Sequence, residues 1–170
     1  MAEAEGFSAE TRLEVPDRSS GWPADLREWV AADRLKEWVE QEVDRLDGQA
    51  SPSGGDLRGD PALRPKLPLK VLAFAYAARI FSAEEIVQAC HSDPILQSLC
   101  EGEVPFVQEL RNFRRSHRPV LEAILAAVCL RALGERFDLE PSRVPPELER
   151  DVRERAGERL DIARHMDVAA

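Results

Sequence analysis

Only one threonine, Thr11, occurs in the 170 residues, and valine and isoleucine are sparse. The three types together make 19 residues, against 81 for alanine, leucine, glutamate and arginine. That balance leaves little β-branched material for a sheet and favours helices. Cysteine is also scarce: three residues in no framework spacing exclude a disulfide scaffold and fit a reducing cytoplasm. Such staples are not needed, since a chain of this size buries roughly 68–70% of its unfolded surface. No run of about 18 apolar residues is present, and the first 25 residues, MAEAEGFSAETRLEVPDRSSGWPAD, are acidic with no apolar block. The expectation is a cytoplasmic protein with no membrane among its partners.

Positive charge is in deficit overall, at a net −9. A protein that coats nucleic acid over its whole surface is excluded, because phosphate binding rests on neutralising cations. The charge is uneven, however. Residues 58–79 and 110–131 each carry +4, while the segments around them are acidic. The two blocks would form one basic patch if they met in space.

Residues 1–21 show no apolar period and read as a tail. From Pro23, Leu26, Trp29, Val30, Leu35, Trp38, Val39, Val43 and Leu46 recur at helical spacing up to Gly48, which predicts one amphipathic helix, or two with a break near Ala31 to Asp33. Residues 48–65, GQASPSGGDLRGDPALRP, are rich in glycine, proline and serine and read as a flexible linker. Lys66 to Phe81 is apolar on nearly every face, the pattern of a buried helix. Ser82 with Glu85 forms a capping-box pattern for a helix over about 83–91, and Asp93-Pro94 starts a short helix that ends at Gly102. A helix over 105–117 has Phe106, Leu110 and Phe113 on its apolar face. Arg118-Pro119 breaks it, and a long helix runs from Pro119 to about Phe137. Pro141, Pro145 and Pro146 make a turn before a charged helix from Glu147 to about Met166.

The stretch LPLKVLAFAYAARIFSAEEIVQACHSDPILQSLC, followed by FRRSH and preceded by LREWVAADRLKEWVEQEVDRLD, resembles the N-terminal helical domain of bacterial DDE-type insertion-sequence transposases over roughly residues 22–135. The resemblance implies a helical domain that contributes to recognising element ends. In that family a separate ribonuclease-H-like domain holds the metal-binding Asp, Asp and Glu for strand transfer. Nothing after Phe137 has the strands such a site requires, so the expected protein is not an enzyme. Two departures stand out: Ala83 and Glu84 where the family commonly has serine and arginine, and PFVQELRN where it usually has a polar stretch ending in threonine. They remove a positive charge and a hydroxyl from the expected contact surface.

Among candidate sites, Arg111, Arg114, Arg115 and Arg118 lie on one side of a helix whose other side is Leu110 and Phe113. Such a row suits phosphates or a guanine edge; alternatively it is a solvated face whose arginines pair with Glu109, Glu122 or another acid. Lys66, Lys70 and Arg79 form a weaker cluster, which snorkelling from a buried helix also explains. Trp22, Trp29 and Trp38 either dock the N-terminal arm onto the bundle or form a self-association or partner surface. Cys90, His91, Cys100, His117 and Cys129 lack the paired spacing of a structural zinc site, so no metal is expected, and no motif calls for a cofactor or a catalytic residue.

The sequence therefore predicts an all-α helical bundle with a helix-turn-helix-like centre. It divides into a tail (1–21), an N-terminal helical arm (22–47), a linker (48–65), a transposase-like helical domain (66–137) and a turn with a charged C-terminal helix (138–170). Its expected function is non-catalytic and transposase-derived, with DNA contact through the arginine-rich helix. The alternative is a protein-interaction module, binding a transposase, another partner or a second copy, that no longer contacts DNA.

Overall fold

The computed structural model describes residues 21–48 and 66–169, so the tail over 1–20 and the linker over 49–65 lie outside the described residues. All regular structure among the described residues is helical. After a 3₁₀ turn at Leu26–Glu28 come α1 (Ala32–Gly48), α2 (Lys66–Ala77), α3 (Ala83–Ser92), α4 (Pro94–Cys100), α5 (Val107–Ser116) and α6 (Arg118–Phe137). A second 3₁₀ turn, Pro141–Arg143, leads into α7 (Pro146–Ala169). Pro23 does not open a helix. The 3₁₀ turn is capped by Asp25, which accepts from Arg27 N at 2.9 Å, and the chain breaks at Ala31, the two-element alternative of the sequence pattern.

α2 is the centre. Every residue from Val71 to Ala78 is buried, including Phe74 and Tyr76, and α1, α4, α5, α6 and α7 all pack on it. Truncating Phe74 to alanine would cost about 3–5 kcal/mol in transfer and cavity terms. The helix stops because Arg79 adopts a left-handed conformation (φ 63°) and Ile80 N donates to Ala75 O at 2.8 Å, a Schellman closure without glycine. α1 contributes Leu35, Val39 and Val43 to the same core, so the N-terminal arm lies along the bundle. It is tied to α6 by Arg34–Glu135 and by Arg131–Glu42, each at 2.8 Å.

Local caps follow the sequence closely. Ser82 Oγ accepts from Glu85 N at 3.1 Å, and Asp93 caps α4 through Ile95 N and Leu96 N. Where a helix-turn-helix-like centre is expected, α3 and α4 abut at Asp93, which ends one and begins the other. Phe106 corrects the sequence reading. It is the residue before α5, 74% exposed, and only its backbone is used, with N donating to Glu109 Oε2 at 2.9 Å. The buried face of α5 is Leu110, Phe113 and Arg114.

Candidate nucleic-acid interface

α5 and the first turn of α6 carry the four arginines, and α7 runs beside them. Arg114 faces inward: its Nε and Nη2 donate to Asp167 Oδ2 at 2.9 and 2.6 Å, with both side chains 7% exposed. Arg111, one turn earlier, ion-pairs through Nη2 with Glu84 at the start of α3. Its Nε lies 3.6 Å from Asp167 Oδ1, buried and without a hydrogen bond. The same Asp167 Oδ1 accepts from Ala83 N at 3.4 Å, an amide of the first turn of α3. Arg118 Nη2 meets Asp161 at 2.9 Å. Arg115 is exposed and bonds within its own helix, to Asn112 Oδ1 at 2.7 Å.

Two guanidinium groups and a helix N-terminus thus converge on one carboxylate. Each element favours negative charge, the arginines by formal charge and the α3 terminus by its free amides and dipole. Tyr76 lies beneath. Burial pushes its phenol well above the ordinary range, Arg114 opposes that rise and Asp167 adds to it. His117 closes α5, stacking on Phe113 with ring centroids 4.0 Å apart.

Lys66 and Lys70 lie elsewhere. Lys66 bridges to Asp44 at 3.2 Å, and at 1.5 Å per residue the two lysines sit about 15 and 9 Å along α2 from Tyr76. The two lysines therefore lie toward the end of α2 away from Tyr76, whereas Arg79 of the same expected cluster follows the helix at the Tyr76 end. Trp22 and Trp29 pack at a tilt of 36° with centroids 5.4 Å apart, and Trp29 meets Phe137 edge-on at 5.8 Å. Trp38 lies under Arg34. All three tryptophans are half-buried against the core. Beside Trp38 a groove of about 770 Å³ between α1 and α6 is lined by Ala127, Leu130, Leu139 and Val144.

Sequence reasoning missed Asp161 and Asp167, which look like ordinary members of a charged helix. It also missed Arg159. That buried guanidinium donates to Ala24 O, Tyr76 O and Pro23 O at 2.6, 2.9 and 3.0 Å, fastening the Pro23–Ala24 segment to the end of α2. Glu84, which the sequence presents only as a lost positive charge, is the partner of Arg111. The three cysteines are free and buried, and the described residues contain no cluster of three or more His, Cys, Asp or Glu that could hold a metal. No helix among them is long and apolar enough to cross a membrane.

The family model described as a transposase domain (DUF772) matches residues 25–116, more than half of the chain. The chain belongs to this transposase-related family. The match takes in α1 through α5 and stops at the end of the arginine helix, so α6 and α7, including Asp161 and Asp167, follow it. No curated protein and no solved structure matches the chain.

Proposed function

We propose that the chain is a non-catalytic, transposase-derived domain that contacts nucleic-acid phosphates through the corner where α5, the start of α6 and the N-terminus of α3 meet. The observation that carries this reading is the convergence of Arg111, Arg114 and the Ala83 amide on a single carboxylate, with Arg115 exposed beside them. The same three donors suit a phosphate oxygen. Membership of the transposase family supports DNA as the source of those phosphates, presented by a helix-turn-helix-like centre. The nearby carboxylates of Glu84, Asp161 and Asp167 serve as arginine partners, and the role is contact without strand transfer.

Fluorescence anisotropy with random duplex DNA and with DNA flanking the gene, at several salt concentrations, tests it. Arg111→Ala with Arg115→Ala should weaken binding evenly across sequences and lower the slope of log affinity against log salt by about 2. Absence of binding at low salt would overturn the reading.

A second reading, a protein-interaction module, is favoured by the engagement of three of the four arginines in ion pairs and by the apolar groove beside Trp38. Salt-insensitive self-association in sedimentation, lost on substitution of Leu130 by Glu, would support it over DNA contact.

A further inference from the structure

The anion site at the α3–α5 corner is already filled, and the segment that fills it has no apolar anchor of its own. Upstream, α7 is anchored by Leu148, Val152, Ala156, Leu160 and Ala163, all buried. Beyond Ala163 that anchoring stops. Arg164, His165, Met166 and Val168 are exposed, and Asp167 is the only one of these five residues turned inward. The last turn of α7 is thus fastened through one carboxylate, held by Arg114, by Arg111 at longer range and by the Ala83 amide. A terminal helical turn with no apolar anchor frays readily, since its last carbonyls have no intrahelical donors.

We propose that the last turn of α7, Arg164–Ala169, is an intramolecular plug, in which Asp167 occupies a phosphate site and a nucleic-acid phosphate takes its place when the turn swings away. This rests on the reading that the corner contacts DNA. The exchange is physically balanced. Arg114 is buried and cannot be left without an anion, but phosphate replaces carboxylate as acceptor for the same Nε, Nη2 and Ala83 N–H donors. Arg118 is restrained by the same helix through Asp161 one turn and a half earlier, so withdrawal of the end of α7 also loosens the neighbouring guanidinium. The plug lies outside the residues that the family model matches.

Two variants of the full chain test the plug. Asp167→Asn removes the charge while keeping an acceptor oxygen for Arg114. Val168→Pro melts the last turn, since proline removes its amide and pushes Asp167 out of helical geometry; Val168 is 81% exposed, so the ring meets no packed neighbour. Each should bind random duplex DNA roughly tenfold more tightly than the natural chain, with a salt slope steeper by about 1, as expected for one freed phosphate contact. In parallel, inorganic phosphate titrated into labelled protein should move the Ala83 amide resonance in both variants and not in the natural chain. Phosphate response of Ala83 in the variants without any DNA binding would keep the plug and overturn the DNA reading. Equal DNA affinity in all three chains, with an Ala83 amide indifferent to phosphate in each, would overturn the plug.

Discussion

Asp167 Oδ2 accepts from both Nε and Nη2 of Arg114, 53 residues away in sequence, at 2.9 and 2.6 Å, in a pair from which water is nearly excluded. Removing one partner leaves a buried charge without compensation, so Asp167→Ala should lower unfolding stability by about 3–5 kcal/mol. Replacing the pair with apolar residues removes both desolvation costs. Arg114→Met with Asp167→Leu should therefore recover most of the loss, and a urea-denaturation double-mutant cycle reads the coupling directly. Equal losses in the single and double variants would show that the pair contributes packing alone.

Arg159 holds three carbonyl oxygens from two segments, and no lysine can reproduce that spread of donors from one planar group. Arg159→Ala leaves Tyr76 O, Ala24 O and Pro23 O short of a charged donor inside the fold. The expected cost is about 2–4 kcal/mol, and Arg159→Lys should restore less than half of it. Limited proteolysis should then cut first near Pro23, because that segment has lost its tie to α2. Unchanged cleavage kinetics would refute the fastening role.

The helices were legible because their signals are local. Ser82, Asp93 and the Val71–Ala78 apolar run each act within a turn or two of their own position, and the hydrophobic period reports which face is inward. The partners of the arginines were not legible. Whether Arg114 faces solvent or Asp167 depends on how α7 lies against α5, and the charged α7 sequence offers many carboxylates of equal local standing. Phe106 failed for a related reason: an apolar residue four positions before Leu110 matches the helical period, yet α5 begins one residue later and leaves its ring outside.

Burial pushes the Cys90 thiol up to about 12 from an ordinary 9.0, with its neighbour Cys100 contributing, and burial raises Cys100 and Cys129 as well. The folded state therefore keeps its protons where the unfolded chain releases them. For Cys90 stability from this source is fully present below pH 9 and is lost as pH rises toward 12, at about 1.4 kcal/mol per pH unit; Cys100, Cys129 and Tyr76 act in the same direction. Urea midpoints measured from pH 7 to 11 should be flat and then fall. At pH 8 a thiol-disulfide reagent should label no cysteine in the folded chain and all three in urea, and rapid native labelling would contradict the buried placement.

Trp29 sits between Trp22 and Phe137, linking the start of the described chain to the end of α6 through two ring contacts at 5.4 and 5.8 Å. The Phe137 contact joins segments far apart in sequence, so truncation weakens the docking of the N-terminal segment more than any single helix. Trp29→Ala should cost about 2–3 kcal/mol, less than a fully buried aromatic because the ring is half-exposed. Trp29→Phe should keep most of that through the edge-on contact with Phe137. The emission of the remaining tryptophans should shift to the red in the alanine variant as Trp22 loses its neighbour. If instead Trp29→Ala leaves stability and emission unchanged while abolishing self-association in sedimentation, the ring acts at an interface between copies and not in docking the N-terminal segment.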